Sequence, residues 1–142
     1  GPNDDFDLKT SHVVASLIRK LHEAREAGTE EIVLWGSGTA AREFLHSDDL
    51  GEACVFLMQK YDDSEIINIG TGEDVSIKEL AEMIRKIVGF GGTLKWDTSK
   101  PDGSPRKVVD VSRIHTLGWR HEISLEQGLK DTYTWYRQQT LV

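Results

Sequence analysis

EIVLWGSGTAAREFLHSDDLGEACVFLMQK, residues 31–60, decides how the rest of the chain is read. Glu31 to Trp35 is a short apolar run stopped by Gly36 and Gly38, which predicts a buried strand ending in a tight turn. From Gly36 to Ala41 the spacing after a strand fits a dinucleotide-binding glycine turn, and that motif requires a helix to open directly behind it. Arg42 to Leu45 reads as extended instead. The strand, turn and helix unit is therefore broken, and the glycines are read as a plain strand end. Ser47, Asp48 and Asp49 then open a helix to about Lys60, with both aspartates at the positive end of its dipole.

Upstream, Val13, Val14, Leu17, Ile18 and Leu21 recur at helical spacing within residues 10–26, with Thr10 or Ser11 available as a cap. Downstream, Ile66 to Ile69 reads as a strand that stops at Gly70. Ser76, Ile77, Lys78 and Glu79 form a capping box, and Leu80, Ile84 and Ile87 carry its helix to Val88 before Gly89 ends it. Gly70 and Gly72 lack the third glycine of a cofactor turn, so they read as a strand-to-helix connection. A strand from Thr93 to Trp96 precedes a surface loop, residues 98–107, that holds two of the three prolines. Lys107 to Val111 predicts a further strand and Ser112 to Leu117 a short helix. A second capping box, Ser124 to Gln127, opens a last helix patterned by Leu125, Leu129, Tyr133 and Tyr136. With no repeat or linker, the prediction is one mixed α/β domain over residues 1–142, with short strands and about five helices.

Composition narrows the function. A formal net charge of −7 disfavours nucleic acid and anionic membranes as partners, because both need a clustered basic surface. A small phosphorylated ligand stays open, since a few aimed Arg, Lys or backbone N–H groups suffice inside a pocket of an acidic protein. No apolar run approaches a membrane span, and the opening GPNDDFDLKT lacks the regions of a secretory signal, so the default location is cytoplasmic. The single cysteine, Cys54, rules out an internal disulfide framework and a multi-cysteine metal site. Its apolar neighbours predict a buried, inert thiol. The chain opens on Gly1 and Pro2 without Met, which reads as a piece of a longer protein.

Three features have a chemical reading beside a plain one. On a helical wheel His12, Ser16, Arg19 and Glu23 share one face. That face is either simply solvated, or it puts His12 at the positive end of the helix, where its protonated form is disfavoured and the imidazole is poised for proton transfer. Arg19 and Lys20 would then meet an anionic part of the same ligand. Trp35 and Arg42 are either a core tryptophan and a surface arginine, or an aromatic plate beside a forked cation suited to a nucleotide diphosphate. In Lys100 to Lys107 the prolines restrict the chain, so its charges can form a fixed array. The other histidines lack metal-ligand spacing and read as structural or exposed.

Residues 1–24 (GPNDDFDLKTSHVVASLIRKLHEA), 33–50 (VLWGSGTAAREFLHSDDL), 67–84 (INIGTGEDVSIKELAEMI) and 99–119 (SKPDGSPRKVVDVSRIHTLGW) resemble successive parts of the GDP-L-fucose synthase family, which are extended short-chain dehydrogenase/reductases. REFLHSDDL is shared with many nucleotide-sugar epimerases and dehydratases, whereas the SHV helix and the KPDGSPRK loop are narrower marks. Gly-Pro occurs at the matching start of family members, which implies that Gly1 and Pro2 are native.

The resemblance implies a small C-terminal substrate-binding domain, normally attached to a Rossmann-type NADP domain upstream. It implies C3 and C5 epimerisation of GDP-4-keto-6-deoxy-D-mannose and NADPH-dependent C4 reduction to GDP-L-fucose. His12 matches the family's acid/base and a position at the cofactor, while Lys20, Trp35, Arg42, Asp102 and Lys107 match positions at the GDP-sugar. It also implies a homodimer for a full-length member and a monomer for this piece, which would be inactive alone. A related nucleotide-sugar epimerase or dehydratase, or a non-catalytic sugar-nucleotide-binding module, is the alternative.

Overall fold

The computed structural model describes residues 1–140, and the layout follows from where the apolar side chains fall. Helices α1 (Val13–Glu26), α2 (Ser47–Lys60), α3 (Ile77–Val88), α4 (Ser112–Leu117) and α5 (Leu125–Thr140) alternate with short strands. These strands are β1 (Glu31–Trp35), β2 (Ala41–Arg42), β3 (Val75–Ser76), β4 (Thr93–Asp97) and β5 (Arg106–Lys107). The predicted mixed α/β class with five helices is what forms.

The main core joins Leu17, Ile18 and Leu21 of α1 to Leu80, Ile84 and Val88 of α3 and to Leu129, Tyr133 and Tyr136 of α5. Ile18, Leu21, Leu80 and Ile84 are at most 1% exposed. Each contributes roughly 1.5–3 kcal/mol by leaving water. Ahead of α1, Phe6 packs its ring against Tyr136, 4.6 Å between centroids, which ties the N-terminal segment to α5. A smaller cluster of Ala53, Val111, Ile114 and Trp119 lies between α2 and α4.

Two sheets hold the strands. β1 pairs in parallel with β4, Glu31 opposite Thr93 through Trp35 opposite Asp97. The second sheet has the order β3-β2-β5, with β2 antiparallel to β3 and parallel to β5. The first capping box is complete: Glu79 N donates to Ser76 Oγ at 3.1 Å and Ser76 N donates to Glu79 Oε2 at 2.9 Å. Gly89 ends that helix at φ 77°, a left-handed conformation that glycine adopts without strain.

Several predicted features come out differently. α1 begins at Val13 with His12 as its cap residue, because the Thr10 hydroxyl is spent on Asp5 Oδ2 at 2.5 Å and Ser11 N donates to the Asp7 carbonyl. Residues 66–69 form no strand: Ile67 and Ile69 pack on the smaller cluster, Ile66 is 88% exposed, and the segment joins neither sheet. The expected strands at 42–45 and 107–111 shrink to the two-residue β2 and β5. The second capping box is half made, since Gln127 N donates to Ser124 Oγ while the Gln127 side chain bonds Asp131.

Cys54 is exposed, not buried. A helix turns about 100° per residue, so of the apolar run only Ala53, Phe56 and Leu57 reach the smaller cluster and Cys54 faces outward. Asp49, expected only to complement the helix dipole, is 3% exposed and accepts from the amides of Glu122 and Ile123 at 3.1 and 3.0 Å. It fastens α2 to the segment before α5. Among the described residues no helix is long and apolar enough to cross a membrane.

Candidate functional site

β2 lies at the centre of the site, although it is only two residues long. Ala41 N donates to the Pro105 carbonyl at 2.8 Å and Glu43 N to the Lys107 carbonyl at 3.2 Å, so the end of the 98–105 loop runs alongside it. The register sets Arg42 against Lys107. Across from this pair, the N-terminus of α1 brings His12 and Val13, and the start of α3 brings Ile77. The result is an open cleft of about 490 Å³ lined by His12, Arg42, Glu43, Phe44, Asp102 and Lys107, with Val13 and Ile77 at its apolar wall.

The cleft holds two cations and two carboxylates, but Glu43 and Asp102 are hydrogen-bonded elsewhere, to Gly72 and Val109 and to Ser37. Neither Arg42 nor Lys107 has an ion-pair partner among the described residues. Arg42 donates Nη1 to its own strand's Ala41 carbonyl at 2.6 Å, and its guanidinium passes beside Gly103. The adjacent Arg106 differs: its Nε lies 2.5 Å from Asp74 Oδ2, and that bond holds the Asp74 carboxyl below the usual carboxylate range. α1 adds to the positive character, because its first turn has no acidic residue and no side chain caps its amides. An anion in the cleft would meet those free N–H groups as well as two unpaired cations.

Asp102 is placed in the cleft wall but is already engaged. Ser37 N donates to its Oδ1 at 2.6 Å and Ser37 Oγ to its Oδ2 at 2.8 Å, and these bonds, the backbone one first, hold its carboxyl below its ordinary range. Asp102 thus latches the 98–105 loop onto the turn after β1. Trp35 is 74% exposed with Lys100 Nζ over its ring, 5.6 Å from the centroid. It is not a core tryptophan, and it does not line the cleft. Lys20 does not line it either; eight residues along α1 from His12 amounts to about 12 Å of axial rise. Arg19, expected to face the same ligand, is spent on Glu23 at 2.7 Å and on the Phe6 carbonyl at 3.0 Å.

Sequence reading missed Glu43 and Phe44 as wall residues. Glu43 had a signal: Gly70, Thr71 and Gly72 offer backbone N–H groups in a glycine-permitted turn, and such a nest needs an anion.

Residues 1–70 match the NAD dependent epimerase/dehydratase family. GDP-L-fucose synthase 1 of Arabidopsis thaliana is 53% identical over 136 residues, 96% of this chain and 42% of the relative. GDP-L-fucose synthase of Escherichia coli (strain K12) is 48% identical over 145 residues, 96% of this chain and 45% of the relative. A crystal structure of a GDP-L-fucose synthetase from Naegleria fowleri bound to NADP superposes with a TM-score of 0.92 at 30% identity, over 100% of this chain and 45% of that one. Over residues 1–70 the chain matches the epimerase/dehydratase family, and over nearly its whole length it is similar to these relatives.

It spans less than half the length of these epimerase/dehydratase relatives. In this stretch of the family the Gly36 to Gly38 turn does not fit a dinucleotide pyrophosphate. The chain leaves Gly38 into β2 rather than a helix, and the first amides of α3 are used: Ile77 N donates to Ala40 O and Lys78 N to Gly38 O, both at 2.9 Å.

Proposed function

We propose that these 142 residues form the substrate-binding domain of a longer GDP-L-fucose synthase, which converts GDP-4-keto-6-deoxy-D-mannose to GDP-L-fucose. The observation that carries this reading is that His12, Arg42, Asp102 and Lys107 share one cleft in which neither cation has an ion-pair partner among the described residues. Arg42 and Lys107 would take the diphosphate, Arg42 through its two-pronged guanidinium and Lys107 as a point charge. Trp35, outside the cleft, would cover a flat or apolar face of the nucleotide that extends beyond it, and Lys20 would act further along α1. Asp102, with both oxygens on Ser37, has one further acceptor position on each for a hydroxyl or base N–H.

Epimerisation at C3 and C5 requires a proton to leave and return beside the C4 ketone, and His12, exposed at the mouth of the cleft, would carry it as general acid/base. NADPH would supply the hydride for C4. Within this chain only His12 is read as reaching that cofactor, and the rest of its site belongs to sequence upstream. The short apolar wall of Val13 and Ile77 would seat the C6 methyl side of the sugar.

Calorimetric titration of the chain with GDP, UDP and dTDP tests the assignment: GDP should bind most tightly, and equal or absent binding of all three would remove it. Preference for UDP or dTDP would favour a related nucleotide-sugar epimerase instead. In the longer protein His12→Gln should slow deuterium exchange at C3 and C5 by about 10²–10⁴-fold with the fold retained. Exchange at the normal rate would take His12 out of the mechanism.

A further inference from the structure

Glu43 follows Arg42 directly, yet its side chain is committed to the protein itself. Oε1 accepts from the amides of Thr71 and Gly72, the latter at 2.8 Å, and Oε2 accepts from the amide of Val109 at 2.8 Å. Thr71 Oγ1 adds a longer bond at 3.3 Å. The Glu43 backbone meanwhile donates to the Lys107 carbonyl. One residue therefore holds the segment carrying Lys107 at two points and the turn at 70–72 at a third. Gly70 makes the approach possible, since a Cβ there would collide with the carboxylate. The Thr71 and Gly72 amides are a small anion-binding nest, and the anion they hold is internal.

What this clamp fixes is the relation between two cations. Arg42 and Lys107 are brought together by a ladder of two residue pairs. Pairing that short is marginal without support, and neither side chain has an ion-pair partner among the described residues to orient it. Bonds to a charged acceptor are roughly twice as strong as neutral ones, so the bond from Val109 N to the Glu43 carboxylate reinforces this strand pair, while those from Thr71 and Gly72 anchor Glu43 to the turn at 70–72.

We infer that Glu43 is a positioning residue: through Thr71, Gly72 and Val109 it sets Arg42 and Lys107 at a spacing that favours a nucleoside diphosphate over a monophosphate. This rests on the reading of the cleft as a sugar-nucleotide site. A diphosphate can engage both cations at once, whereas a monophosphate engages one well. Loosening the clamp therefore costs the diphosphate more.

The test is the affinity of the chain for GDP and for GMP, measured by calorimetry in the wild type, Glu43→Gln and Glu43→Asp. Glu43→Gln keeps the shape of the side chain but cannot accept at both ends. It should weaken GDP binding by about tenfold and GMP binding much less, with the number of sites per chain unchanged. Glu43→Asp keeps the charge but is too short to span from the 70–72 turn to Val109, and it should show the same fall in the GDP to GMP ratio. A preserved ratio, with hydrogen exchange faster at Thr71, Gly72 and Val109, would overturn the inference and leave Glu43 a staple of the fold alone. If Glu43→Gln does not fold, the ratio in Glu43→Asp decides. If the wild type binds neither nucleotide, the cleft reading fails separately. The Arg42 Nε–Hε resonance in Glu43→Gln then decides: displacement or broadening supports positioning, and an unchanged signal overturns it.

Discussion

Gly36 shows how one residue sets the rim of the cleft. Its φ of 84° lies where side chains are strained, and a Cβ would run into the Asp102 carboxylate that closes over it. Gly36→Ala should therefore destabilise the chain by about 1–3 kcal/mol and open the Asp102 to Ser37 latch. Urea unfolding reads the first effect, and hydrogen exchange at the Ser37 amide reads the second. Asp102 and Ser37 are 65 residues apart, so this pairing had no trace in the local sequence. Arg42 was legible as a candidate because it follows Trp35 and a glycine turn, and Lys107 because it closes a charged loop that prolines restrict. For Glu43 only the nest at 70–72 was legible; that Glu43 fills it was not, because its partners come from two distant segments.

At the level of elements, α3 is the best specified part of the molecule. A complete capping box starts it, a left-handed glycine ends it, and Leu80, Ala81, Ile84 and Val88 face the core. All of these signals lie within four residues of the groups they act on, which is why the helix was readable to its ends. Ser76→Ala removes the hydroxyl that caps Glu79 N and should cost about 1 kcal/mol. A lower urea midpoint with an unchanged slope would be the expected result, and no change in midpoint would mean that tertiary packing alone fixes the helix start. The strands were less readable. β2, β3 and β5 have two residues each, too few for an alternating pattern, and residues 66–69 have strand composition but join no sheet.

For the molecule as a whole, stability should depend on pH through two partly buried imidazoles. Burial, aided by Arg25, lowers the pKa of His22 below its ordinary 6.5, and burial, aided by Arg120 and His121, lowers that of His115. The unfolded chain then binds protons more readily, so stability is full above about pH 6.5 and falls as the pH drops through the lowered folded values. Carboxyls held low by hydrogen bonds, Asp74 and Asp102 among them, add a second loss near and below about pH 4. Thermal midpoints at about pH 7.5 and pH 5.5 measure the first window, and His22→Phe combined with His115→Gln should flatten the difference. The sequence by itself determined the mixed α/β class, α1, α3 and the residue types available for a phosphorylated ligand, because helical period, caps and charge act between near neighbours. Only the tertiary structure decided which candidates meet. It put His12, Arg42, Asp102 and Lys107 in one cleft, left Lys20 and Trp35 outside it, and turned Cys54 outward. Those outcomes depend on backbone pairing and packing between segments tens of residues apart, and no local pattern of side chains encodes them.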